Sequence, residues 1–153
     1  TTMSQRDLVL TRLIPVPRAK LWRCWTEPDL LQQWFCPKPW RVSAADLDVR
    51  PGGHVRLTMN GPNGETHPDD GVYLEVVPNE RLVFTDAYTA GWQPSAKPFM
   101  TGIVTFDDED GRTRYTARAR HWTAADRDAH ERMGFHEGWG LATDQLVELA
   151  KRL

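Results

Sequence analysis

The sequence is poor in several features that would assign it to a broad class. It has two cysteines among 153 residues, Cys24 and Cys36, which are too few for a disulfide framework and fit reduced thiols in the cytoplasm. No apolar run approaches the roughly 20 residues of a membrane-spanning helix, and no signal segment opens the chain. Positive charge is not in excess either: 19 Lys and Arg stand against 21 Asp and Glu, which gives a net charge of −2. We therefore expect a cytoplasmic protein with no membrane span and no nucleic-acid partner.

Motifs for metal, phosphate and triad sites are also missing from the sequence. His130 and His136 are six residues apart in a predicted helix, so they lie on different faces and cannot form a metal pair. The acidic run Asp107–Gly111 lacks the spacing of a calcium-binding loop and fits a hairpin turn. No phosphate-binding loop or Ser-His-Asp pattern is present. We predict no metal and no cofactor, and we assign no catalytic residue.

Tryptophan, in contrast, is plentiful. The chain has seven, and with three tyrosines and five phenylalanines the aromatic residues reach 10%. Large aromatic side chains fill hydrophobic cores, and they also line apolar ligand pockets. The aromatic content is therefore compatible with either a packed core or a binding site.

The pattern of apolar residues and turn signals predicts one α+β domain. The length fits a single domain over residues 1–153, with Thr1 and Thr2 as a predicted tag remnant before Met3. A first strand is followed by two short helices that each begin at a proline, then by six strands. A long C-terminal helix of roughly 40 Å then begins after Thr123. The predicted strands are Asp7–Ile14, Val42–Val49, His54–Met59, Val72–Val77, Leu82–Tyr88, Met100–Phe106 and Thr113–His121. This order implies an antiparallel sheet of about seven strands wrapped around the terminal helix.

Six segments resemble, in the same order along the chain, a family with this architecture. They are Pro15–Pro17 followed by Leu21–Trp22, Leu31–Trp34, Asp48–Gly53, Gly71–Pro78, Glu80–Thr85 and Gly138–Trp139. The chain resembles the START-like (birch-pollen-allergen-like, SRPBCC) superfamily, in the branch of the activator of 90-kDa heat-shock protein ATPase homologues. The resemblance implies a helix-grip fold with a pocket between sheet and helix for apolar or aromatic small molecules, in some members with cyclase or hydrolase activity. Fold alone does not decide function.

Strand alternation indicates which side chains face that pocket. In the last strand Tyr115 and His121 share the apolar face, and by the same test Phe84, Asp86 and Tyr88 point inward, as does Leu74 in an earlier strand. Asp86 and His121 are the polar exceptions, at the same end of the sheet. They form either a polar end to the pocket or structural contacts. In the second case Asp86 caps the Tyr88–Phe99 loop or pairs with an arginine, and His121 is a rim residue that ends its strand.

These considerations give a predicted ligand site and three functional hypotheses. The predicted ligand-binding residues are Trp34, Phe84, Asp86, Tyr88, Tyr115, His121, Phe135 and Trp139. The leading hypothesis is a domain that binds an apolar or aromatic small molecule, as a monomer or homodimer. The alternatives are a cyclase- or hydrolase-type enzyme that uses His121 and Asp86 as an acid–base pair, and a co-chaperone-type protein-interaction module.

Three glycines surround Trp139 in the predicted terminal helix. Gly134, Gly138 and Gly140 each cost up to about 1 kcal/mol relative to alanine in a helix interior. They predict either close packing of the helix against Ala117 and Ala119 of the sheet, or free volume for a ligand. We favour free volume.

Overall fold

A computed structural model describes residues 5–96 and 98–153. In chain order its elements are β1 (Asp7–Ile14), α1 (Arg18–Thr26), α2 (Pro28–Leu31), β2 (Arg41–Leu47), β3 (His54–Asn60), β4 (Thr66–Val77), β5 (Arg81–Thr85), β6 (Tyr88–Thr89), β7 (Gln93–Pro94), β8 (Met100–Glu109), β9 (Arg112–His121), α3 (Ala124–Arg132) and α4 (Phe135–Lys151). The predicted tag remnant lies outside the described residues.

The sheet confirms the predicted α+β class. Seven strands pair antiparallel in the order β1-β9-β8-β5-β4-β3-β2, so the first strand of the chain pairs with the last. Leu146 and Leu149 of α4 pack in one hydrophobic core with Leu21 of α1 and Val104 of β8. The sheet therefore holds the C-terminal helix on one face, as a helix-grip fold requires. In the described part of the chain no helix is both long and apolar enough to cross a membrane.

The single C-terminal helix predicted from the sequence is wrong, because the structure divides it in two. Thr123 caps α3 as expected, with its hydroxyl oxygen accepting a hydrogen bond from the Asp126 amide at 3.0 Å. Gly134 then adopts a φ of 98°, in the left-handed region that glycine tolerates best. The helix α4 begins at Phe135 and has 17 residues, about 26 Å at 1.5 Å per residue.

Two strands depart from the simple alternation predicted for the inner face. A register shift between Tyr73 and Glu75 of β4 puts Tyr73 in the core and leaves Leu74 39% exposed. The next strand, β5, ends at Thr85 rather than at Tyr88. Tyr88 instead joins the β6–β7 hairpin and contacts Trp92 edge-to-face at a centroid distance of 5.8 Å. The predicted inward orientation of Leu74 and Tyr88 is therefore wrong, since β4 contains a bulge and β5 is short.

Candidate functional site

A pocket of about 420 Å³ lies between the inner face of the sheet, the segment after α2, and helices α3 and α4. Six predicted residues line it: Trp34, Phe84, Asp86, Tyr115, Phe135 and Trp139. The other two predicted residues do not. Tyr88 is on the exposed hairpin, and His121 is fully buried beside His130, which does line the pocket.

Aromatic rings form one wall of the pocket, and hydrogen bonds fix their orientation. The Trp25 indole N–H donates to the Tyr115 hydroxyl at 3.2 Å, and the Trp34 indole N–H donates to the Cys24 carbonyl at 2.9 Å. The Trp25 ring lies 4.9 Å from that of Trp34 and 5.7 Å from that of Phe84, centroid to centroid. Because both indole N–H groups are satisfied within the protein, these rings offer only apolar surface to a ligand.

Helix α4 forms the opposite wall of the pocket, and this wall has free space at Gly138. A Cβ placed on Gly138 would meet nothing closer than Pro37 Cγ, at 4.0 Å. Gly140 differs, because its Cβ would come within 3.3 Å of Arg12 Nη2. Free volume therefore explains Gly138, which lines the pocket with its neighbour Trp139. Gly134 marks the helix break, so the three glycines are not equivalent.

Asp86 is engaged with the backbone of the loop that follows it. Its Oδ1 accepts hydrogen bonds from the amides of Phe99 and Met100, at 2.9 and 3.1 Å, and its Oδ2 accepts from Phe99 at 3.1 Å. This is the structural alternative given above, in which Asp86 caps the loop. Within the described residues no hydrogen bond joins Asp86 to His121.

His121 forms a chain of hydrogen bonds with a second histidine. Its Nδ1 lies 2.8 Å from the Arg6 carbonyl oxygen, and its Nε2 lies 2.8 Å from Nδ1 of His130. Phe99 and Phe135 pack on the His130 ring at centroid distances of 4.9 and 5.2 Å. Burial, and to a smaller extent the neighbouring His121, lowers the pKa of His130 to about 4. His130 is therefore uncharged at pH 7.

The charged residues of the pocket wall are acidic. Asp69, Asp70 and Asp86 line it, and no lysine or arginine of the described residues does. Asp70 pairs with Arg56 at 3.6 Å. Asp69 lies opposite Leu57 in the β3–β4 register and lines the pocket, but much of its surface is exposed. Desolvation of the part that the protein covers and the nearby Asp86 raise its pKa. An anionic ligand would meet a negative potential here.

The thiols at and near the pocket are poor nucleophiles. Burial raises the pKa of Cys36, which lines the pocket, to about 11, and it raises the pKa of Cys24 similarly. Thiolate is the reactive form, so both are largely inert at pH 7. No group of three or more metal-ligating side chains occurs within the part of the chain that the structure describes. Cys36 is therefore not a candidate nucleophile of this pocket at pH 7.

A comparison with protein families shows which family this chain is related to. Residues 15–151 match the family described as activator of Hsp90 ATPase homolog 1-like protein. The chain belongs to this family. The resemblance noted from the sequence is thereby confirmed, and with it the START-like fold. A comparison with curated proteins found no match.

Solved structures show that the family fold extends over the whole chain. A crystal structure of a protein from Nitrosomonas europaea is 42% identical, with 99% of this chain and 97% of that chain covered at a TM-score of 0.95. A Mycobacterium smegmatis protein is 27% identical over 95% of this chain and 90% of that chain, with a TM-score of 0.80. A Rhodobacter sphaeroides protein at 19% identity, covering 100% and 97% of the two chains, shares the fold at a TM-score of 0.85.

His130 and Asp69 are among the polar pocket residues that the sequence reasoning missed. Asp69 precedes the predicted strand Val72–Val77, because Pro68 and the surrounding polar residues conceal the first half of β4. His130 was considered only as a metal ligand paired with His136. The signal that could have found it is the position of His121 at the end of β9, close to the start of α3.

Proposed function

We propose that this protein binds a small apolar or aromatic molecule in the pocket between the sheet and α4. The observation that carries the proposal is a pocket of about 420 Å³ with Trp25, Trp34, Phe84 and Trp139 in its walls. Ligand sites of small molecules have volumes of about 300–1,000 Å³ and walls that are mostly apolar with a few polar groups. The open space at Gly138 adds support, because a helical glycine is costly unless the missing side chain serves a purpose.

The two alternative functions have less support. An acid–base pair of His121 and Asp86 would need both groups free, whereas Asp86 accepts three backbone hydrogen bonds and His121 bonds the Arg6 carbonyl and His130. A protein-interaction module would need a contiguous apolar surface. Tyr88 and Trp92 form one exposed aromatic pair on the β6–β7 hairpin, and other large exposed apolar side chains, such as Leu13 and Leu74, lie on other strands. A cytoplasmic location and a monomer or homodimer remain predictions; the free thiols of Cys24 and Cys36 support the former.

A thermal-shift and fluorescence screen with neutral naphthalene derivatives tests the proposal. A binder should quench tryptophan emission and raise Tm, since a ligand at 100 times its Kd stabilises the native state by about 2.7 kcal/mol. Trp139→Phe should remove part of the quenching, and Trp92→Phe, on the exposed hairpin, should leave it unchanged. If no derivative moves either signal, a ligand-binding function is contradicted.

A further inference from the structure

The hydrogen bonds of the histidine pair determine which nitrogen carries each proton. The Arg6 carbonyl oxygen can only accept, so Nδ1 of His121 is the donor at 2.8 Å. In a neutral imidazole the other nitrogen is an acceptor, so Nε2 of His121 accepts from Nδ1–H of His130, also at 2.8 Å. With its proton on Nδ1, His130 has a bare lone pair on Nε2.

That lone pair is the polar group that His130 can offer to the pocket. His130 lines the cavity, whereas the His121 ring lies behind it and is 1% exposed. The rings of Phe99 and Phe135 pack against the imidazole, which limits its rotation. Among the described residues no hydrogen bond reaches His130 Nε2. His130 is partly exposed, and a ligand donor in the pocket would take the place of solvent at this acceptor.

We propose that His130 Nε2 accepts a hydrogen bond from the ligand, so that the pocket selects neutral aromatic molecules with a hydroxyl or N–H group. His121 is a positioning residue that fixes the tautomer of His130 and does not itself touch the ligand. The inference rests on the proposed function and adds to it the chemical class of the ligand. The acidic wall formed by Asp69 and Asp86 also favours neutral ligands, because its negative potential repels carboxylates.

Calorimetric titration at pH 7 with two matched probes tests this selection. The probes are 2-naphthol, which can donate a hydrogen bond, and 2-methoxynaphthalene, which cannot. One additional hydrogen bond predicts about tenfold tighter binding of 2-naphthol. The key variant is His130→Asn, whose side-chain amide can still donate to His121 from near the position of Nδ1 but has no atom at the position of Nε2. It should bind both probes equally.

His130→Gln is the matched control, because its side chain places a polar oxygen near the position of Nε2. This variant should keep a preference for 2-naphthol. If the wild-type protein binds both probes with equal affinity, or if His130→Asn keeps the full preference, the role of His130 is overturned while the binding function stands. If neither probe binds, the proposed function itself fails, and this inference with it.

Nitrogen NMR of the wild-type protein with labelled histidines gives a second test that depends on no variant. The His130 Nε2 resonance should have the shift of an unprotonated imidazole nitrogen in the free protein at pH 7. Addition of 2-naphthol should move it toward the shift of a hydrogen-bonded acceptor, and 2-methoxynaphthalene should not. A protonated Nε2 in the free protein would overturn the assignment.

Discussion

Asp86 and His130 both line the pocket, and their hydrogen bonds within the protein distinguish the structural role of Asp86 from the ligand-binding role proposed for His130. Asp86 accepts hydrogen bonds from the amides of Phe99 and Met100. His130 has one nitrogen filled and one bare. Strand alternation was enough to predict Asp86 from the sequence. It could not find His130, because that residue depends on a hydrogen bond between the end of β9 and α3.

The role of Asp86 as a loop cap predicts two different responses to substitution. Asp86→Ala removes all three hydrogen bonds to the backbone and should lower the free energy of unfolding by about 1–3 kcal/mol, measured by urea denaturation. Asp86→Asn keeps Oδ1, which accepts from both amides, and should cost less than about 1 kcal/mol. Equal losses in the two variants would show that the negative charge, rather than the loop, is what Asp86 contributes.

At the level of elements, the sequence predicted the type and order of the helices and strands well, and their local geometry less well. Proline and glycine signals placed the turns, and alternation gave the inward faces of β8 and β9, where Val104 and Ala117 are fully buried. The bulge in β4 was not visible, because it reverses the side-chain alternation without a change in composition. The break at Gly134 was concealed because α3 and α4 both continue a helical pattern of residues.

Gly138 provides a prediction about the wall formed by α4. Gly138→Leu should fill part of the pocket, so that Tm holds or rises while binding of 2-naphthol is lost, measured by thermal denaturation and calorimetry. Gly138→Ala is the control: it should gain up to about 1 kcal/mol from helix propensity and retain most of the binding. A clear drop in Tm for Gly138→Leu would instead indicate that the wall is close-packed, and would contradict the open space found at this position.

For the whole molecule, the buried and paired titratable groups make stability depend on pH in a definite direction. Burial alone would raise the pKa of Asp7, but Arg120 and Arg118 outweigh it and hold that pKa below its usual range. Asp7 therefore stabilises the fold above its ordinary pKa of 3.8, and this contribution is lost as the pH falls below it. Asp69 has the opposite effect, because its raised pKa favours uptake of a proton by the folded state.

Between pH 4 and pH 6.5, His130 has the largest effect on the free energy of unfolding, which leads to a prediction about acid stability. In the unfolded chain it takes up a proton near its ordinary pKa of 6.5, whereas in the folded protein it does so only near pH 4. The free energy of unfolding should therefore fall as the pH is lowered from 6.5 to 4, by up to about 3 kcal/mol. Urea denaturation at several pH values measures this slope. His130→Gln, which does not titrate, should reduce the slope in this interval. An unchanged slope in His130→Gln would mean that His130 is already charged in the folded protein near pH 6, and a charged ring has no bare Nε2 to offer a ligand.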